Sequence, residues 1–396
     1  MKLQIVYGAT WTFPSVVPVL QQWQGMGYQL WVVSEEPPPK EIGKVRWSFL
    51  PKAARNTVTA LSWTTSEWEA AKHAVGVVCL WELAVVGSAE LAKSLGLPGP
   101  SLDAATRARD KWFMATAWKQ HASIPATWQL SSPDDLMRLL AFEERLVVKP
   151  RSAGGSYGVR LVNQDWAGST EEWQELKTKW EFDLLAQKPI QGPEFSVEGF
   201  VDAQGVYHPL GITRTFTTDG PHFVEIAHVA PAKLTPIVTQ NIYEVAYLCN
   251  VSLGLSSCVT HFELKLTDFG PVPIELGARV AGGRIPYLWK DLDRFDLYDV
   301  ALALAQGLTP EVAHPRPSRT HSRAAAIIFG ASDDTAREAE TLNLEIMEFS
   351  ATAPSRPTHW TSNNDRCGLL RVRGAWSAVA NLLSTNLGRS GMTLAQ

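Results

Sequence analysis

The chain is 396 residues long, 45% hydrophobic, and carries a formal net charge of −4. That length suits roughly two to three domains with buried cores, and 28 glycines with 25 prolines are an ordinary globular complement that excludes a collagen-like or low-complexity chain. Lys and Arg (36) nearly balance Asp and Glu (40), so no global basic field exists to attract nucleic acid or an anionic membrane.

The opening MKLQIVYGATWTFPSVVPVL lacks the small-residue cleavage pattern of a secretory signal and reads as a first buried strand with its turn. Strand LQIVYG, a helix through Leu20 and Trp23, strands YQLWVVSEE and VRWSFLP, a helix over SEWEAAKHA and strand VGVVCLWE form β-α-β units, the pattern of a parallel sheet. Ser66 with Glu69 is the expected capping box of that second helix. VGVVCLWELAVVG is the most apolar stretch, but Glu82 interrupts it and nothing approaches the ~18 apolar residues of a membrane span. VGSAELAKSLG reads as a helix ending at Gly96 and Pro98, as helices do. One further helix is expected from Asp103 to His121.

RLVVKP is a compact buried strand, RSAGGSYGV a glycine-rich turn and VRLV a returning strand. Then come a helix (EEWQELKTKW), strands FDLLAQKPI, EFSVEGFVD and YHPLGITRTF, a helix (TPIVTQNIYEVAYLCNVSLG), and two strands about a turn at Asp268, Phe269 and Gly270. GLTPEVAHPRPSRTHSR is a loop, followed by two strands and a closing helix within AAAIIFG, NDRCGLLRVRG and AWSAVANLL. The fold class is α/β leading into α+β. Cys79, Cys249, Cys258 and Cys367 are scattered without a CxxC pair, which argues against a zinc site or disulfide framework and fits a cytoplasmic location.

Chemistry concentrates in HFELKLTDFGPVPIELGARVAGG. A turn symmetric about Phe269 sets Thr267 opposite Pro271, Lys265 opposite Pro273 and Glu263 opposite Glu275. The prolines have no N–H to give the ladder, so the two glutamates form a non-hydrogen-bonded pair with Cα atoms roughly 4.5 Å apart. Like charges so placed destabilise a sheet unless a cation lies between them or one carboxyl holds a proton. Mg²⁺ takes one or two carboxylates plus substrate phosphates. Alternation puts Gly277 and Arg279 on the same face, where an arginine suits a phosphorylated reactant. Taken alone, such a pair is more often a solvated hairpin.

Lys149 ends its strand just before Ser152, Gly154, Gly155, Ser156 and Gly158. Glycines let backbone N–H groups approach a phosphate, and the lysine adds a point charge; no GK[ST] follows, so this is not a Walker A loop. Lys111, on a helix, reads alone as solvated. Gln187 to Ile190 offer backbone groups to a nucleobase, and Glu194 a carboxylate to ribose hydroxyls. Glu194, Ser196 and Glu198 share one face, the pattern of an amphipathic edge strand.

Taken in order, RARDKWFM, RLVVKPRSAGGSYGV, LLAQKPIQGPEFSVEGF and HFELKLTDFGPVPIELGARVAGGRIP resemble the ATP-grasp superfamily, and among its members the carboxylate–amine ligases of the L-amino-acid ligase type. WELAVVGSAELAKSLGLPGPS and NNDRCGLLRVRG extend the resemblance over nearly the whole chain. It implies an ATP-grasp fold: an N-terminal parallel α/β domain over 1–110, a lid subdomain over 111–190, and a large subdomain with a closing C-terminal part over 191–396. It also implies that Lys111, Lys149 and the loop Ser152 to Gly158 bind the phosphates of ATP, that Gln187, Lys188 and Ile190 form the adenine hinge, and that Glu194 holds the ribose. By the same resemblance Glu263 and Glu275 carry Mg²⁺ (or Mn²⁺), Arg279 stabilises an acyl-phosphate, and Arg214, His228 and Arg284 line the pocket of the small-molecule carboxylate and amine substrates. Two positions depart from the family: Gly277 stands where Asn is usual, and Gln187 where Glu is frequent. Relatives often form homodimers. An enzyme using bicarbonate or a purine precursor, and a nucleotide-binding module without ligase activity, are the alternatives.

Overall fold

A computed structural model describes residues 2–9, 16–166, 171, 173–174, 183–312, 322–351 and 360–388. The first sheet is formed by β1 (Lys2–Ala9), β2 (Tyr28–Ser34), β3 (Arg46–Phe49) and β4 (Ala74–Cys79), with α1 (Val16–Gly25) and α2 (Thr65–Ala71) in the connections and α3 (Val85–Ser94) following β4. Its order is β3-β2-β1-β4 and every pairing is parallel, as expected from the β-α-β pattern. Ile5, Val6, Tyr7, Trp31, Val32 and Val33 are completely buried, because a parallel strand covered on both faces needs a continuous apolar run. The cap of α2 differs from the expectation. Thr64 accepts from the Glu67 backbone, and the Glu67 side chain reaches back to complete the box; Ser66 and Glu69 lie inside the helix. The TTSEWE segment contains two overlapping capping-box patterns, and the upstream one wins.

The helix expected from Asp103 to His121 is two, α4 (Leu102–Arg109) and α5 (Lys111–Trp118). Asp110 between them is extended, and its carboxylate accepts from the backbone N–H of Trp112 and Phe113. Arg151 donates two further bonds to it, at 2.6 and 3.1 Å. The break matters because it makes Lys111 the first residue of a new helix.

The second sheet joins β5 (Thr127–Leu130), β6 (Arg145–Pro150), β7 (Arg160–Asn163) and β8 (Leu184–Gln187). It is antiparallel in the order β5-β8-β6-β7, with the amphipathic α6 (Pro133–Leu140) packed through Leu136 and Leu140. The helix expected over EEWQELKTKW falls largely outside the described residues.

The third sheet has eight strands in the order β13-β12-β9-β10-β11-β14-β16-β15. These are β9 (Glu194–Val201), β10 (Tyr207–Thr217), β11 (Glu225–Ala230), β12 (Cys258–Thr267), β13 (Gly270–Gly277), β14 (Arg323–Phe329), β15 (Glu345–Ser350) and β16 (Leu369–Ala375). α7 (Pro236–Ser252), α8 (Ile285–Asp291), α9 (Leu297–Ala305), α10 (Asp333–Thr341) and α11 (Trp376–Gly388) complete the chain. β9 is no edge strand: β12 and β10 flank it on both sides, and Ser196 and Glu198 are buried. The C-terminal strands extend this same sheet through the β11–β14 pairing, with β15 an additional edge that the sequence patterning did not reveal.

The β12–β13 hairpin corrects the expected register near its tip. Thr267 faces Gly270 across a two-residue turn, so Leu266 faces Pro271 and Leu264 faces Pro273. A bulge between Glu263 and Leu264 then shifts the register by one, and Glu263 faces Glu275. The inferred pair forms because the bulge compensates for the shorter turn. Among the described residues, no helix is long and apolar enough to cross a membrane.

Candidate functional site

Three adjacent strands present one polar face. Ser196 on β9 lies beside Glu263 on β12, which lies beside Glu275 on β13. One step along, Glu198 pairs with His261 and His261 with Gly277. Side chains on directly opposed strand residues point the same way, so all of these project from a single side. Burial and then the neighbouring Glu275 push the Glu263 carboxyl above its ordinary value, although His261 draws it down. For His261, burial is outweighed by Glu198 and Glu263, and its pKa stands well above the usual histidine range.

Lysines approach this face from outside the sheet. Lys111, buried at the start of α5, places Nζ 3.1 Å from Glu275 Oε2 and donates at 2.5 Å to the Ala153 carbonyl. Lys149, buried at the end of β6, feels Lys111, Glu275, Glu263 and Glu194. Burial and then repulsion from Lys111 lower its pKa to about 8.

The glycine-rich loop is closed over these groups. Gly155, Ser156 and Gly158 all have positive φ, which glycine adopts without strain, and a Cβ at Gly158 would lie 2.8 Å from the Pro150 ring. The Ser152 carbonyl accepts from Arg109, the Gly155 carbonyl from the Asn363 backbone at 3.2 Å, and Ser156 Oγ donates to Phe223 O at 3.0 Å. Gly154 packs on Glu82, whose Cγ would be 3.3 Å from a Cβ there.

At the expected hinge, Gln187 is buried with Nε2 donating to Thr127 at 2.9 Å. The Lys188 side chain turns outward to Glu143 at 2.9 Å while its backbone N–H donates to Ala126 O, so only its backbone remains near the hinge. Ile190 O accepts from Lys265 at 3.4 Å, and Lys265 lies 4.0 Å from Glu194. Burial raises the Glu194 carboxyl more than Lys265 lowers it.

Arg279 meets a residue that sequence reasoning treated only as a break in an apolar run. Its Nε lies 2.5 Å from Glu82 Oε2, and Arg109 holds the other Glu82 oxygen, also at 2.5 Å. Burial opposes ionisation of Glu82, but Arg279 and then Arg109 bring its pKa down to about 2. A Cβ at position 277 would stand 2.9 Å from Glu82 Oε2, so the glycine leaves the space that Glu82 fills. Gly277→Asn is therefore expected to push Glu82 off Arg279 and, for the nucleotide-dependent reaction proposed below, to lower kcat roughly tenfold, about 1.4 kcal/mol. Steady-state kinetics at saturating nucleotide and magnesium would show it; tighter magnesium use at unchanged kcat would show instead that Glu82 yields.

Beyond Glu263 lies a second polar group. His228 is completely buried, its Nδ1 3.1 Å from Thr215 Oγ1 and its Nε2 3.5 Å from Glu225 Oε2, with no hydrogen bond to Nε2 among the described residues. Burial lowers its pKa. Glu225 also accepts from Arg366 and, at 3.1 Å, from Asn363. Gly283 is needed beside this ring, since a Cβ would stand 2.9 Å from His228 Nε2.

The other expected substrate residues are placed differently. Arg214 pairs with Phe195 and Val229, whereas its neighbour Thr215 pairs with Glu194 and His228; alternation puts Arg214 on the opposite face. There its guanidinium lies over Phe195 and Phe216, so the expectation that it lines the same pocket as His228 is corrected. Arg284 forms an ion pair with Glu348 at 2.8 Å.

Among the described residues no group of three or more His, Cys, Asp or Glu side chains could hold a metal alone. Two facing carboxylates with lysines beside them fit a hard cation that arrives with phosphate oxygens, since Mg²⁺ is commonly held by one or two carboxylates and substrate.

Residues 142–286 match the ATP-grasp domain family. The chain is 29% identical over 226 residues to alanine–anticapsin ligase of Bacillus subtilis (strain 168), covering 51% of this chain and 47% of that protein. It is 27% identical over 272 residues to carnosine synthase 1 of Homo sapiens, covering 63% of this chain and 32% of that protein. The chain thus spans less than half the length of either relative. An L-amino acid ligase from Bacillus licheniformis superposes with a TM-score of 0.74 at 20% identity, covering 98% of this chain and 97% of that one. A four-stranded antiparallel sheet meets, through a glycine-rich loop, the large sheet that bears two facing glutamates, and the segment 142–286, which holds that loop and both glutamates, matches the ATP-grasp domain family.

Proposed function

We propose that the protein is an ATP-dependent carboxylate–amine ligase that joins amino acids. Glu263 and Glu275, directly opposed on β12 and β13 under Lys111 and Lys149, carry this reading. Support for the amino-acid class comes from the ligase relatives at 27–29% identity.

In the first step a substrate carboxylate oxygen attacks the γ-phosphorus of ATP, the bond to the β–γ bridging oxygen breaks, and acyl-phosphate and ADP result. Catalysis of such a transfer is mostly positioning and charge stabilisation. Glu263 and Glu275 would hold magnesium, which would supply neutralising charge to the phosphates. Lys111 and Lys149 add charge from the lid side, and Arg279, oriented by Glu82, faces the transferring group. The closed loop Ser152 to Gly158 excludes water, which would hydrolyse the acyl-phosphate. In the second step the lone pair of a neutral amine attacks the acyl carbon, inorganic phosphate leaves, and the amine nitrogen loses its proton. His228, its pKa lowered by burial and its Nε2 3.5 Å from Glu225, lines the acceptor side with Glu225 and Arg366. The adenine lies along the backbone of residues 187–190, with Glu194 at the ribose. Four free thiols fit the cytoplasm.

A matrix of amino acids offered in pairs, read by phosphate release and by product mass, tests the proposal. Release that requires two amino acids and yields ADP with a dipeptide-mass product is expected. Release that requires bicarbonate, or none with any pair, overturns the amino-acid reading.

A further inference from the structure

We infer that His261, backed by the buried carboxylate of Glu198, is the positioning residue that fixes the metal-binding oxygen of Glu263. This rests on the reading of Glu263 as a metal ligand. The inference stands on a chain of contacts on the β9–β12 face. Glu198 is completely buried in the middle of the sheet. It accepts from Ser196 Oγ at 2.7 Å and stands 3.0 and 3.1 Å, through its two oxygens, from His261 Nδ1. The other ring nitrogen, Nε2, lies 3.0 Å from Glu263 Oε1. Both ring nitrogens therefore meet a carboxylate, Glu198 on one side and Glu263 on the other.

The geometry distinguishes this from a satisfied core histidine. A ring that merely filled space would need no second carboxylate, and burying Glu198 is costly unless it is paired and hydrogen-bonded. Pairing across strands sets the order: Glu198 beside His261, Ser196 beside Glu263, and Glu275 on the far side of Glu263. One oxygen of Glu263 is held by the imidazole, which leaves the other for the cation. Groups behind a metal ligand fix its orientation, and their removal typically costs about 10–100-fold in metal affinity or activity. Here the ligand is the carboxylate, and the histidine stands behind it. His261 bridges Glu198 and Glu263 through its two ring nitrogens, so the effect of removing either residue behind Glu263 should reach the metal first.

The test uses Mn²⁺ as a paramagnetic stand-in, read by electron paramagnetic resonance on the full chain with a non-hydrolysable ATP analogue. His261→Ala and the shape-preserving Glu198→Gln should each weaken Mn²⁺ binding in the ternary complex, roughly 10–100-fold for the former and less for the latter. Metal-free nucleotide affinity should stay within about twofold, and the apparent KM for Mg²⁺ should rise more than kcat falls. His261→Gln keeps one donor toward Glu263 and should recover part of the loss. If His261→Ala is poorly folded, Glu198→Gln decides alone. Unchanged Mn²⁺ affinity in these variants, while Glu275→Ala abolishes Mn²⁺ binding, overturns the positioning role and spares the ligand assignment. Unchanged affinity in Glu275→Ala as well overturns the ligand assignment itself.

Discussion

Glu275→Ala is expected to lower turnover in the proposed ligation about a thousandfold, roughly 4 kcal/mol of transition-state stabilisation. The loss lies at the top of the range for a single lost donor because two things fail together. The facing pair becomes one carboxylate, and Lys111 loses its partner at 3.1 Å in a setting where it is buried. Stability should stay nearly level, because relief of the like-charged pair is offset by the partner that buried Lys111 loses. Kinetics at high Mg²⁺ beside a thermal melt separate the two effects. A variant that kept its turnover would remove Glu275 from the reaction.

Lys149→Met is expected to raise the KM for ATP about 10–100-fold, the range for a lost charge-assisted contact of roughly 1.5–3 kcal/mol, with the apolar stem volume retained. The wild-type pH profile carries the same information. Burial and Lys111 hold Lys149 at about 8, so above that pH the free protein loses the ammonium that attracts phosphate. MgATP affinity should fall as pH rises from 8, by at most about tenfold per unit, and Lys149→Met should flatten this limb. Folding stability has the opposite sign. Unfolded lysine titrates near 10.4, so between about 8 and 10 the unfolded chain binds more protons than the native one, and stability contributed at this site rises with pH. Weaker nucleotide binding with a firmer apo fold over the same interval is the signature. Parallel losses of both would point to general alkaline unfolding.

Several parts of this site could be read from the residue order, and others could not. The Glu263–Glu275 pair was legible because prolines and a short turn constrain a hairpin strongly. Yet the turn was read one residue too long, and the bulge that corrects it leaves no mark in GPVPIE beyond its prolines. Lys111 looked like an ordinary helical lysine because RARDKWFM has continuous helical spacing; only the Asp110 side chain, competing for the backbone N–H groups of Trp112 and Phe113, shows the break. His261 is spaced for the same face as Glu263, so strand alternation alone would have found it. Glu82, Glu225 and Arg366 come from separate stretches of chain, and nothing local reveals their tertiary partners: Arg279 and Arg109 for Glu82, and Arg366 and Asn363 for Glu225. Arg214 was misplaced by a single step of alternation along β10, which is enough to reverse a side chain.

The hold on the glycine-rich segment has a kinetic corollary. It is tied to Arg109 and Lys111 at one end, to Phe223 in the middle, and to Asn363 of the C-terminal third. These anchors sit on different parts of the chain, so opening of the loop breaks contacts to several separate segments. If the proposed ligation is this chain's reaction, departure of ADP is the step expected to limit it, and loosening any one anchor should quicken release while allowing more futile ATP hydrolysis.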